Sequence, residues 1–176
     1  QWAYVMEVAH NLGIKSTATI MFGHIDDIDS WVNHFSLIKN VQNKTHGFTE
    51  VVPLPFVHMG SPIYLRGKSM PGPTWDEIVL IHSLARIYFV NLIDNIQASW
   101  VKLGHDGAGR LLHAGVNDLG GTLINENISR ASGADHGQET TQDQFIQIIE
   151  SENKNPVLRN TLYTEFIETK NTLEKR

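Results

Sequence analysis

The chain has 176 residues, 41% of them hydrophobic, and a formal net charge of -5, which suits one globular domain with a sizeable core. Its 14 Lys and Arg are scattered without a basic stripe, which argues against nucleic acid or an anionic membrane as a partner. No cysteine is present, so a disulfide scaffold and any thiolate-held zinc or iron–sulfur site within this sequence are excluded.

No apolar run approaches the ~18 residues of a membrane helix, and the first residues, QWAYVMEVAHNLG, form neither a basic region nor a signal core. The default expectation is a cytoplasmic protein. Trp2, Val5, Met6, Ala9 and Leu12 fall at helical spacing before Gly13, with no N-cap ahead of them, so the sequence reads as starting inside a helix and as a piece of something longer. STATIMFG, 16–23, reads as a buried strand. Asp29 or Ser30 then caps a helix whose stripe is Trp31, Phe35, Ile38 and Val41 or Gln42, broken at Lys44-Thr45-His46-Gly47. FTEVVPLPF, 48–56, is a second strand, expected to end at Val52 because of its prolines. The 57–73 stretch is a long loop of the kind that is often functional.

Thr74 and Glu77 stand at capping-box spacing behind Pro73 and predict a helix through about Phe89. NIQASWVK, 95–102, reads as a third strand, 105–115 as a short helix and GVNDLGG, 115–121, as a fourth strand or its C-terminal end. A last helix starts at Thr141, with Gln144 three residues on and Phe145, Ile148 and Ile149 on its apolar side, before a charged tail that is helical or frayed. Strand–helix alternation of this kind demands parallel strands and right-handed crossovers, an α/β layer or barrel with ligands beyond the C-terminal strand ends. Gly23-His24, Pro53-Leu54-Pro55-Phe56, Lys102 and Asn117-Asp118 fall at those ends. The polar 113–137 stretch around Gly120-Gly121 is therefore either a solvated turn or part of an active face, and His24, Gln97, Asn117 and Asp118 are expected to converge on one face.

Five pieces in order, AHNLGIKSTATIMFGHID, GFTEVVPLPFVHM, PIYLRG, NIQASWVKLG and AGVNDLGGTLINENISRASGADHG, resemble the radical SAM FO synthase family, subunit 2. Members are 5-amino-6-(D-ribitylamino)uracil–L-tyrosine 4-hydroxyphenyl transferases. The resemblance implies the C-terminal half of a radical SAM (β/α)8 TIM-type barrel over 1–140, with 141–176 as a C-terminal helical extension. It implies a 4Fe-4S cluster and S-adenosyl-L-methionine, the cluster held by a CxxxCxxC loop outside this sequence. The resemblance further implies L-tyrosine and 5-amino-6-(D-ribitylamino)uracil as substrates and a subunit 1 of FO synthase or a fused domain as partner. The implied reaction adds the hydroxybenzyl group of tyrosine to the ribitylaminouracil, a step in the biosynthesis of the deazaflavin FO, precursor of coenzyme F(420). Phe22, where relatives often have Tyr, and Gly60, where an acidic residue is common, depart from the pattern.

Such chemistry asks the protein for positioning and exclusion. Gln97 and Ser99 alternate with Ile96, Ala98 and Trp100, so one face is polar. Gln97 suits a uracil edge or ribityl hydroxyls, or else closes a buried hydrogen-bond network. Asn117, Asp118, Asn125 and Glu126 suit a polyhydroxyl chain or an amino acid, or serve as caps. Arg130 pairs a substrate or cofactor carboxylate, or pins Glu126. His24 contacts substrate or cofactor, or is incidental. Pro53, Leu54, Pro55 and Phe56 offer an apolar wall for an adenine, or ordinary packing. Other readings are a menaquinone (futalosine) radical SAM enzyme, against which NENISRASGA favours the deazaflavin branch, a metal-dependent hydrolase using His24, His58, His113 or Asp118, and a non-catalytic ligand-binding half-barrel.

Overall fold

A computed structural model of the protein describes residues 1–123, 131, 133 and 139–169. Helix α1, Trp2–Asn11, packs on helix α2, Ile28–Thr45, and strand β1, Ser16–Phe22, connects them in chain order. The cap of α2 is Asp27, not Asp29 or Ser30: its carboxylate accepts from the Ser30 amide at 2.8 Å, which makes Ser30 the third helical residue. The predicted stripe of Trp31, Phe35, Ile38, Val41 and Gln42 is buried, and the helix ends on His46 in the left-handed conformation.

Strand β2, Phe48–Pro55, pairs in parallel with β1. It does not stop at Val52. Alternate residues of a parallel strand bond to opposite neighbours. Val51 bonds away from β1, accepting from the Gln97 amide and donating to the Asn95 carbonyl, both at 2.9 Å, whereas the Phe56 amide reaches back to Phe22. Pro53 and Pro55 share the parity of Val51, so their missing N–H groups face the side where the ladder has already ended, and the β1 side is undisturbed.

The loop after β2 holds one helical turn, α3, Pro62–Leu65, and leads to helix α4, Trp75–Tyr88. The α4 capping box forms as predicted, with the Thr74 amide donating to Glu77 Oε2 at 2.7 Å and the Glu77 amide donating to Thr74 Oγ1 at 3.3 Å. Thr74→Ala is expected to cost about 1 kcal/mol, read as a lower urea midpoint at unchanged slope.

The third and fourth predicted strands shrink to single bridges, Val51 to Ile96 and Gln97 to Asp118, both parallel. NIQASWVK turns early: Ser99 stands at the N-cap of helix α5, Trp100–Leu111, and Lys102 lies inside that helix rather than at a strand end. Gly104, at φ 70°, kinks α5, which explains why the sequence pattern reads as helical only beyond it. Helix α6, Gln142–Ser151, carries the predicted Thr141–Gln144 capping box. The tail beyond it is neither helical nor frayed over its described part: Val157–Arg159 and Phe166–Glu168 form a two-stranded antiparallel hairpin, β3 and β4.

The architecture is mixed α/β with parallel strands in one sheet. The core lies between strands and helices, where Ala18, Ile20, Phe22, Val51, Ile96 and Ala98 meet Trp31, Phe35, Ile78, Ile81 and Phe89. The opposite sheet face carries Thr17, Thr19 and Met21, beside Glu50, Val52 and Leu54, beside Gln97. No described helix is long and apolar enough to cross a membrane.

Candidate functional site

The polar face of the sheet is organised by Glu50. Its register partner Thr17 donates to Oε1 at 2.8 Å, while Gln97 Nε2 donates to Oε2 at 2.8 Å. From the hairpin, the Tyr163 hydroxyl donates to the same Oε2 at 2.5 Å. Arg159 forks onto Asp118: its Nε donates to Oδ2 and its Nη2 to Oδ1 at 2.9 Å, with Glu50 3.7 Å away. The Asp118 bonds raise the Arg159 pKa, and burial followed by the Glu50 bond holds the Tyr163 phenol protonated far above its usual range. Thr17 is the second residue of β1 and Glu50 the third of β2, so this cluster sits near the N-terminal ends of the strands, and the hairpin covers it.

The C-terminal end of β1 has a different construction. Gly23 turns at φ 86°, and a Cβ there would lie 2.3 Å from Pro73, so only glycine lets the long loop return this close. The Met70 amide donates to the His24 carbonyl at 2.7 Å and ties the same loop down. Asp26 is part-buried and accepts from His24 Nδ1 at 2.6 Å, from Trp31 Nε1 at 2.5 Å, and from the Gly23 and His24 amides at 3.1 and 2.9 Å. Burial alone would raise its pKa, but the Trp31 and amide donors outweigh it and hold the carboxyl below the usual range. The His24 ring lies 5.7 Å from that of Phe56.

The candidates therefore divide. Gln97 and Asp118 come together with Glu50, while His24 and Phe56 meet at the opposite strand ends. Asn117 does not share their face: its Oδ1 accepts from the Ile96 amide at 2.9 Å and from Arg86 Nη2 at 2.6 Å, which ties the sheet to α4. Pro53 and Pro55 are buried with the parity of Val51, so the apolar wall on the open face reduces to Leu54 and Phe56. Ser99 is half-buried at the start of α5. Asn125, Glu126 and Arg130 lie outside the described residues. Phe22 is fully buried against Trp31 and His82, in the helical layer.

The four zinc candidates do not gather into a ligand set among the described residues. His58 packs on Tyr64, His113 pairs with Glu152, Asp118 binds Arg159, and no group of three metal-ligating side chains forms among the described residues. Sequence reasoning did not single out Glu50, Asp26, Arg159 or Tyr163. A signal existed for the first, since Glu50 is the one charged residue of a largely apolar strand and stands where alternation assigns it to the same face as Val52.

Parallel strands with helices on one face and a polar cluster on the other define an α/β scaffold. Residues 45–172 match the family profile described as the CofH/MqnC C-terminal region, and the chain belongs to that family. It is 50% identical over 93% of its length to the 5-amino-6-(D-ribitylamino)uracil–L-tyrosine 4-hydroxyphenyl transferase of Methanopyrus kandleri, and covers 44% of that protein. The transferase of the same name from Methanothermobacter thermautotrophicus is 46% identical over 94% of the chain, which covers 45% of it. An FO synthase of Mycobacterium leprae is 44% identical over 92% of the chain, which covers 19% of that longer protein. The chain thus spans less than half the length of the relatives it matches.

Proposed function

We propose that the chain is the C-terminal half of a radical SAM (β/α)8 barrel in a transferase that joins the hydroxybenzyl group of L-tyrosine to 5-amino-6-(D-ribitylamino)uracil, within the synthesis of the deazaflavin FO. The observation that carries this is the 50% identity, over 93% of the chain, to a relative bearing that transferase name. The family profile embraces both the CofH and MqnC types, and the names of the relatives favour the first over the menaquinone branch. The half-barrel reading is supported by a strand order β1, β2, 95–98, 116–119, with helices on one face. It is supported too by the apolar side chains left exposed beside the β1 edge, Met21, Ile25, Ile28 and Val32, a surface that further strands and helices would cover.

The residues of this chain do not fit an iron–sulfur cluster, because ligation takes thiolates and the sequence has none. In this reading the cluster ligands belong to the other half of the barrel, together with most of the S-adenosylmethionine contacts. The cofactor supplies the reactivity, and the described residues supply the frame. Glu50, Arg159 and Tyr163 close the N-terminal strand ends, while His24, Leu54 and Phe56 face the C-terminal ends where barrel substrates bind. L-Tyrosine and the ribitylaminouracil are the proposed ligands, with a subunit 1 of FO synthase or a fused equivalent as partner and the cytoplasm as location. Genetic complementation tests the assignment. The full-length gene should restore deazaflavin fluorescence to a strain lacking its own tyrosine-dependent transferase, and restoration of menaquinone synthesis instead would move the protein to the other branch.

A further inference from the structure

The His24–Asp26 pair is built like an oriented acid–base dyad. The Asp26 carboxylate has acceptor capacity only, so the 2.6 Å contact requires a proton on His24 Nδ1. The neutral ring is thereby fixed in one tautomer, with its lone pair on Nε2. Three further donors, Trp31 Nε1 and the Gly23 and His24 amides, hold Asp26 in place. The Met70 amide and the Phe56 ring hold His24. Nε2 has no hydrogen-bond partner among the described residues, and the His24 side chain stays 28% exposed just beyond the C-terminal end of β1. A histidine locked through one nitrogen and open at the other is arranged to accept a proton.

We infer that His24 Nε2 accepts a proton or a hydrogen bond from an N–H or O–H group of a bound substrate, with Asp26 as its positioning residue. This deepens the transferase reading and rests on it. In the proton transfer, the substrate N–H or O–H bond breaks and leaves its electron pair on that atom. The proton moves to Nε2, and the resulting imidazolium is balanced by the Asp26 carboxylate. The donor chemistry is an ammonium or a polarised amine or hydroxyl, which tyrosine and the ribitylaminouracil both carry.

The test uses full-length protein labelled with 15N-histidine, and reads the two ring nitrogens of His24, assigned through His24→Gln. The expected result is a protonated Nδ1 and a bare Nε2 in the free protein, with Nε2 shifting when L-tyrosine alone or ribitylaminouracil alone is added. Which of the two moves it names the donor. Asp26→Asn should mix the tautomers, and His24→Gln should lower kcat/KM by about 10²–10⁴-fold while leaving the thermal midpoint within a few degrees. A proton on Nε2 in the free protein, a shift caused only by S-adenosylmethionine, no shift with either substrate, or a His24→Gln enzyme within threefold of wild type would each overturn the inference. The ring-nitrogen readout needs no turnover. A protein that shows the shift yet makes no coupled product contradicts the transferase reading and not the role of His24.

Discussion

Arg159→Ala is expected to destabilise the folded protein by about 3 kcal/mol, at the lower end of the cost of breaking a buried ion pair because Arg159 retains 19% of its side-chain exposure. The guanidinium satisfies both Asp118 oxygens and stands 3.7 Å from Glu50, so its removal leaves two carboxylates without their shared cation. It also stacks on the Tyr163 ring, 4.0 Å from the centroid, and that contact goes with it. Arg159→Lys keeps the charge but not the planar fork, so it should recover only part of the loss. Chemical denaturation reads the effect as a lower midpoint at unchanged slope. A midpoint equal to that of wild type would mean that the hairpin does not dock on the sheet through this residue.

A comparable loss is expected on mild acidification, with His82 as its largest source and His10 and His34, whose pKa values burial also lowers, adding to it. The His82 ring is fully buried, its Nδ1 bonds to the Ile78 carbonyl at 2.7 Å, and its Nε2 has no partner among the described residues. Burial lowers its pKa from 6.5 to about 4, against a small opposing contribution from the Ile78 bond. The unfolded state therefore binds a proton from about pH 6.5 downward, which the folded state refuses until about pH 4. Stability is intact above that window and falls as pH drops through it, by about 3 kcal/mol at its lower end. His82→Met fills a similar volume with no titratable group and should remove the larger part of the slope between those limits without a large change at neutral pH, leaving the part that belongs to His10 and His34. A wild-type profile that is already flat there would show that His82 is protonated at no cost in the fold.

Elements with a local signature were legible in the sequence. The α4 and α6 capping boxes need only residues three apart, and the α2 stripe repeats on its own helix, so both survive in the structure unchanged. The prolines of β2 misled because the sequence shows that an N–H is missing but not which neighbour it would have faced. NIQASWVK misled because Trp100 is buried whether it ends a strand or opens a helix, and the alternation is the same up to that point. The Glu50 cluster stayed hidden for a different reason. Arg159 meets Asp118 across 41 residues and Tyr163 meets Glu50 across 113, and no periodicity reports a contact of that range. Asp26 lies two residues from His24, within GHID, and was readable as an Asx-type partner once the strand end was placed.

The measurement that tests the central reading most directly is the fate of label from tyrosine. Full-length protein, reconstituted anaerobically with iron and sulfide, is given S-adenosylmethionine, ribitylaminouracil and L-tyrosine carrying 13C either in the ring and Cβ or at Cα, and the products are read by mass spectrometry. The transferase reading predicts a coupled product that retains the ring and Cβ label and loses the Cα label. A product that retains Cα, or reconstituted enzyme that cleaves S-adenosylmethionine but never couples tyrosine to the uracil, would contradict it.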